Sequence, residues 1–337
     1  MTRLQILRAM HALTAERHER VEPMFAVRQA DQPLIDMPTN LGFTMRGPVA
    51  NDAMRHQYAP FAVDAPYEPI EVFLTLLATH EGGTYFDIGA NLGYFSLVAA
   101  CNRAAGAPLV VHAFEPAPFY HELLRHNILS NRLSRIVRPH ALAVAECSGE
   151  ETLHLLDTNS SLEPTWAQET RGHAPLGTVA VRAAALDDLF DPADLLAPFM
   201  FKIDVEGAEM AALRGGERLL RSSEAAFVLV ETHEDSEGQR AVLQLLTEWG
   251  YTCFGLARYS KGQYFNVWND RLIGLEEVSD DPSLWCDYWM CLRGDHPRAQ
   301  EIVSQYNLYG VFVSTRYLDS EALADLLERR ADEAPGA

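Results

Sequence analysis

The sequence predicts an α/β protein with a Rossmann-like core, a mostly parallel sheet covered by helices on both faces. Three observations carry that expectation. Strand-like and helix-like segments alternate from Thr84 onward, a glycine-bearing turn stands at the first strand-to-helix junction, and the aliphatic strands of the second series look buried on both faces.

The first series is expected as a strand over 84–88, a helix from 92, a strand over 109–114, a helix over 117–130 and a strand near 136–144. The second is a strand near 199–204, a helix over 208–221, a strand over 226–232, a helix over 238–249 and a strand over 251–256. Pro69 suits the first turn of a helix in which Val72, Phe73, Leu76 and Leu77 recur at helical spacing, and Gly82-Gly83 lead from it into the first strand. Between the two series, residues 157–177 are rich in Ser, Thr, Pro, Gly and Gln around Trp166, the composition of a surface loop or lid.

The flanks differ in character. Leu4, Leu7, Met10 and Leu13 give residues 3–20 a helical period, whereas 30–66 are broken by repeated Pro and Gly. Residues 1–66 therefore form an N-terminal helical appendage with a lid-like extension, 67–294 the catalytic domain, and 295–337 a tail with aromatic residues and a helix over 320–330.

The chain has 337 residues, 48% of them hydrophobic, enough for one large core with added segments. A net charge of −20 opposes a phosphate backbone, so nucleic acid is not expected as a partner. Five cysteines fit free thiols in a reducing compartment better than a disulfide framework. The N-terminus lacks the continuous apolar stretch of a signal peptide, and no run is long enough to span a bilayer. The expected location is cytoplasmic, with no membrane partner; a homo-oligomer stays open.

The richest chemical signal is D-I-G-A-N-L-G at 87–93, where the first strand gives way to a helix. Glycine lets the backbone turn sharply and approach a ligand, because no Cβ intervenes. A dinucleotide fingerprint needs G-x-G-x-x-G, yet Asn91 stands at the second glycine position and would crowd a pyrophosphate. Asp87 argues the same way: a carboxylate there repels a pyrophosphate and complements the ammonium and sulfonium charges of S-adenosylmethionine. Glu115 ends the next strand, where an acid accepts hydrogen bonds from both ribose hydroxyls. A Gly-rich turn or a strand-end acid alone is ordinary; together at this spacing they point to a nucleoside-containing cofactor.

The ordered runs Y-F-D-I-G-A-N-L-G-Y-F-S-L, F-E-P, L-D-D-L and F-K-I-D-V-E-G-A-E resemble the FkbM family of methyltransferases over residues 66–256. The resemblance implies a class I methyltransferase fold, a seven-stranded sheet parallel except for its last strand, binding S-adenosylmethionine at the carboxyl ends of the first strands. By motif position it implies that Asp87, Gly89, Asn91 and Gly93, with Ala90 in the same turn, line the methionine part and that Glu115 holds the ribose. Tyr94 and Ser96 start the following helix and are placed to reach the methionine carboxylate through its N-terminus, the plain alternative being helix surface and core. Ala143, in H-A-L-A-V-A, falls where this fold places small adenine-contacting residues. Glu68, in Y-E-P-I-E, matches the entry to the catalytic domain by analogy, although a helix-start carboxylate explains it as simply.

Methyl transfer from a sulfonium is an in-line displacement, so the protein must align the acceptor and help remove its proton. Lys202, Asp204 and Glu206 alternate along the fourth core strand and its exit, and Glu231 and His233 repeat the pattern on the fifth. Strands that reach solvent also end in polar residues, but two neighbouring strands ending in acids and a histidine mark the edge where open α/β sheets bind ligands. Asp204 is expected to contact the cofactor ammonium or the acceptor, and His233 to act as general base, oriented by Glu206 and Glu231. Clustered carboxylates also suit a divalent cation, although this set alone does not establish one.

Other residues read as structural. Cys286 and Cys291 are expected on opposite faces of one strand, which disfavours a shared metal, and Asp187 and Asp188 belong to a turn. Trp166, Trp268, Trp285 and Trp289 suit stacking on an acceptor or ordinary packing. The expected reaction is O-methylation of a hydroxyl on a sugar or other small molecule, such as a secondary metabolite or glycan. The competing readings are a nicotinamide-dependent oxidoreductase, which Asn91 and Asp87 disfavour, and a cofactor-binding interaction protein without catalysis.

Overall fold

The computed structural model describes residues 33–39, 41–48, 51, 53–54, 68–155, 160–163, 175, 177–232, 237–256, 273–274 and 286–302. The expected helices over 3–20 and 320–330, most of the 157–177 segment with Trp166, Trp268, Trp285, and His233 lie outside the described residues.

The chain enters as a hairpin of β1 (Leu34–Pro38) and β2 (Thr44–Pro48), followed by helix α1 (Pro69–Thr79). The first series is β3 (Gly83–Ile88), α2 (Tyr94–Asn102), β4 (Leu109–Phe114), α3 (Pro118–Ser130) and β5 (Val137–His140). An accessory segment supplies β6 (Ala143–Val144), β7 (Gly149–Leu155), β8 (Ser160–Ser161) and β9 (Gly177–Ala184), then the short helix α4 (Leu186–Leu189). The second series is β10 (Phe199–Ile203), α5 (Glu209–Gly215), α6 (Glu217–Leu220), β11 (Ala225–Glu231), α7 (Glu237–Glu248), β12 (Tyr251–Leu256), β13 (Ile273–Gly274) and β14 (Tyr288–Arg293).

The main sheet runs β5-β4-β3-β10-β11-β14-β12-β13. Its first five strands pair in parallel, and β14 inserts antiparallel between β11 and β12. The expected seven strands with one reversed are thus present. The two-residue β13 corrects the count to eight by adding an antiparallel edge beside β12.

Burial explains why these runs stay together. All six residues of β3 are buried, and strand alternation sends Tyr85 and Asp87 to one face and Phe86 and Ile88 to the other. On the first face Tyr85, Val111, Met200 and Leu229 join Leu97 and Val98 of α2 and Leu124 and Ile128 of α3. On the second, Phe86, Phe201 and Val228 pack with Leu213 of α5, Leu219 and Leu220 of α6, and Val242 and Leu246 of α7. Each fully buried side chain of this size contributes about 1.5–3 kcal/mol relative to exposure. Because β4 and β10 flank β3 on opposite sides, the strand order reverses there, and the carboxyl ends of β3 and β10 form the switch point beside which open α/β sheets hold a ligand crevice.

Four expectations need correction. The strand anticipated near 136–144 divides: 137–140 stay in the main sheet, while Ala143 pairs with Ala183 in a separate four-stranded sheet ordered β6-β9-β7-β8. Part of the anticipated lid is strand, since Ser160 and Ser161 pair with Leu155 and His154. The 30–66 extension includes a hairpin hydrogen-bonded to α3, with Met45 and Met54 fully buried. Cys286 precedes β14, so strand alternation does not separate it from Cys291; both are buried in the same core, and all five cysteines are free. No helix among the described residues is long and apolar enough to cross a membrane.

Candidate active site

The crevice is built around the turn that leaves β3. Gly89 has φ +85°, and a Cβ added there would lie 1.8 Å from the Asp204 carbonyl oxygen, so a side chain is excluded where the exits of β3 and β10 touch. The turn is tied to the next strand by Gly89 and Ala90, whose N–H groups donate to the Phe114 carbonyl. Gly93, at φ +88°, starts α2 and leaves space for Leu124. Asn91 also has a positive φ of 49°; its N–H donates to Glu115 Oε2 at 2.9 Å, and its Oδ1 accepts from Leu92 N at 2.9 Å.

Glu115 is 6% exposed and accepts a second backbone hydrogen bond from Ala117 N at 2.8 Å. Burial pushes its carboxyl up to about 7 against the opposing pull of those two N–H donors.

Beneath the turn lies a buried charge network. Asp87 and Lys202 are register partners on adjacent strands and therefore share a face. Lys202 is 2% exposed; its Nζ donates to Asp204 Oδ2 at 2.6 Å and lies 4.7 Å from the Phe95 ring centre. Burial opposes the lysine charge, but Asp204 and Asp87 outweigh it and raise its pKa. Burial raises the Asp87 pKa despite Lys202 and the 2.5 Å hydrogen bond donated by Ser96 Oγ to Asp87 Oδ2. The other oxygen, Asp87 Oδ1, is buried with no hydrogen-bond partner among the described residues.

The acids of β10 and β11 do converge. Asp204, Glu206 and Glu231 each present a carboxylate oxygen, all within 4.8 Å of one another, a hard-oxygen set chemically able to hold a divalent cation or to take up a proton. Glu206 sits at φ 56°, a left-handed conformation unusual for a residue with a side chain, and its carbonyl accepts from Ser161 Oγ at 2.6 Å. Glu68 is brought towards the same edge, with Tyr288 Oη 3.5 Å from its Oε1 and Tyr288 paired with Glu231 in the sheet.

The remaining expected residues are placed as follows. Ser96 is fully buried, and its hydroxyl donates to Asp87. Tyr94 is buried with Phe43 and Phe95 against its ring, a core position. Ala143 is buried in the accessory sheet. Asp187 accepts from Arg218 N and Leu219 N at the start of α6, the structural turn that was expected, and Trp289 is fully buried packing.

Sequence reasoning missed the pairing of Lys202 with Asp204, the bond from Ser161 to Glu206, and a ring stack across four strands. Phe201, Phe86, His112 and His140 lie at successive centroid distances of 4.8, 5.4 and 5.3 Å, with a 3.0 Å hydrogen bond joining His112 and His140. Burial, then mutual repulsion with charged neighbours, lowers these histidines to about 3 and about 4, so they are neutral at physiological pH and supply shape instead of charge. The register that brings the two histidines together appears only once β4 and β5 pair.

Comparison with known proteins gives four likenesses. Residues 87–253 match the Methyltransferase FkbM domain. Hexuronic acid methyltransferase AglP of Haloferax volcanii is 29% identical over 175 residues, 52% of this chain and 66% of that protein. Among solved structures, methyltransferase FkbM from Methylobacillus flagellatus KT is 15% identical, covering 63% of this chain and 44% of that one, with a TM-score of 0.37. An O-methyltransferase from Bacillus cereus in complex with SAH is 14% identical, covering 66% and 80%, with a TM-score of 0.36.

Proposed function

The chain carries an FkbM methyltransferase domain over residues 87–253, and on that premise we propose that it transfers a methyl group from S-adenosylmethionine to a hydroxyl of a sugar or similar small molecule. The observation that carries this reading is the buried carboxylate of Asp87 below a glycine turn. Its Oδ1 has no protein partner among the described residues, and an acceptor atom in that position suits a cationic ligand group. The cofactor, when bound, supplies an electrophilic methyl on a positively charged sulfur.

The residues divide the remaining work. Asp87 and Asp204 give the crevice floor its negative charge, and Lys202 stabilises both. Gly89, Ala90, Asn91 and Gly93 shape the turn, while Glu115 receives the ribose hydroxyls. Asp204, Glu206 and Glu231 orient the acceptor, and His233, two residues beyond Glu231, accepts its proton. A glycan acceptor is supported by the likeness to a hexuronic acid methyltransferase. In domain terms, 1–66 and 295–337 flank a catalytic unit of 67–294.

The deciding experiment combines titration calorimetry against S-adenosylmethionine and NAD with radiolabelled methyl transfer to uronic acids, neutral sugars and phenols. Binding of the first ligand alone, with transfer to a hydroxylated acceptor, is expected. Cofactor binding without transfer to any acceptor would favour the non-catalytic reading. Asp204→Asn and His233→Ala are each expected to lower kcat about 100-fold or more, the usual scale for losing proton-transfer or orienting groups. Normal turnover in both would remove them from the chemistry.

A pH dependence follows from Glu115. Hydrogen bonds from ribose hydroxyls are stronger to the ionised carboxylate, so cofactor affinity is expected to rise as pH increases through about 7. The limit is about tenfold per pH unit below that value. Stability of the ligand-free protein runs the other way. The folded pKa lies above the ordinary value of 4.5, so the unfolded chain loses this proton first and stability falls as pH rises from 4.5 through about 7. Calorimetric titration at pH 6, 7 and 8 checks the binding trend, and Glu115→Gln should flatten it.

A further inference from the structure

We infer that the N-terminal segment, which precedes the matched domain, is a working part of the cofactor turn, and that Asn51 is its positioning residue. The inference rests on the cofactor reading of the turn given above.

Asn51 is 6% exposed, and its amide is oriented by its surroundings. Its Oδ1 accepts from Ala53 N at 3.1 Å and Met54 N at 3.5 Å, which directs Nδ2 to Asn91 Oδ1 at 3.1 Å. Asn91 is the residue whose left-handed φ of 49° must be held in place, and its N–H donates to Glu115 Oε2. The N-terminal segment therefore stands one side chain away from the carboxylate assigned to the ribose.

A second attachment comes from the hairpin. Asn127, fully buried on α3, accepts from Arg46 N at 2.7 Å and donates to both the Arg46 carbonyl at 3.0 Å and the Leu92 carbonyl at 2.9 Å. One amide thus joins β2 to the turn. The packing is close as well: a Cβ on Gly47 would lie 2.7 Å from Leu92 Cδ1 and 2.9 Å from Met54 Cγ. By contrast, Asn131 ties the hairpin to α3 through the Thr44 N–H and carbonyl without touching the turn.

The geometry gives a discriminating set of variants in the full-length chain. Asn51→Asp keeps an oxygen for Ala53 and Met54 but removes the donor to Asn91. It is expected to weaken S-adenosylmethionine and S-adenosylhomocysteine binding about 3- to 10-fold, the scale of one net hydrogen bond. The KM for the cofactor should rise with it while kcat at saturation stays within about twofold, because the acids of β10 and β11 are untouched. Asn131→Ala, the control, should lower the melting temperature and leave cofactor affinity unchanged. Unaltered affinity in Asn51→Asp, with wild-type protein binding normally, overturns this inference alone. Wild-type protein with no affinity for either nucleoside overturns the underlying cofactor reading and this inference with it.

Discussion

Gly89→Ala is expected to eliminate measurable cofactor binding and to cost the fold about 4–5 kcal/mol, the upper end for a single substitution. Two penalties combine. The residue occupies φ +85°, where an L side chain costs about 1–2 kcal/mol, and its Cβ would meet the Asp204 carbonyl oxygen at 1.8 Å. That oxygen belongs to backbone fixed by the bond from Asp204 N to the Ile88 carbonyl, so no rotamer change relieves the clash. Gly106→Ala separates the two effects. Gly106 has nearly the same φ, +84°, but nothing within 4 Å of an added Cβ, so only the conformational part should appear. Urea denaturation of the two variants beside wild type measures the difference; equal costs would mean that the β3 and β10 exits do not touch as described.

Lys202→Met should be the next most damaging change, lowering stability by about 3–5 kcal/mol near neutral pH, as expected when one member of a buried ion pair is removed. Lys202 is 2% exposed, so solvent screens little of the loss. Without it, Asp204 loses its 2.6 Å partner and Asp87 loses the positive charge that offsets its burial. The Asp87 carboxyl then has a folded pKa still further above its ordinary value of 3.8. A raised folded pKa makes stability fall as pH climbs above the unfolded value, so the deficit relative to wild type should widen between pH 5 and pH 8. Denaturation curves at those two pH values test the sign. A deficit independent of pH would indicate lost packing against Phe95 in place of lost charge.

The features that the sequence exposed are those written in local patterns. The strand 109–114 and the strand 251–256 occur as expected because each is a mostly apolar run ending at a clear boundary, and the glycine turn occurs at the strand–helix junction its residues imply. The convergence of Asp204, Glu206 and Glu231 was legible because the carboxyl-edge rule places them there, although Asp204 and Glu206 follow β10 and lie beyond the reach of strand alternation. The accessory sheet was not: β7 has four exposed residues at its start and β8 only two residues, so neither shows a core period. The hairpin was hidden by Pro38, Gly42, Gly47 and Pro48, since the same residues punctuate loops and tight turns. Asn51, Asn127 and Ser161 left no signal because their partners lie 40, 81 or 35, and 45 positions away, and a side-chain amide or hydroxyl bonded to distant atoms imposes no spacing.

The hydroxyl of Ser161 gives the accessory sheet leverage out of proportion to its size. Through the Glu206 carbonyl it grips a turn whose backbone is already held in an unfavourable conformation, whereas Asp87, Gly89 and Glu115 lie at the ends of the first two strands of the main sheet. The insertion is thus fastened to the exit of β10, and loss of the Ser161 hydroxyl would release the Glu206 backbone from that hold.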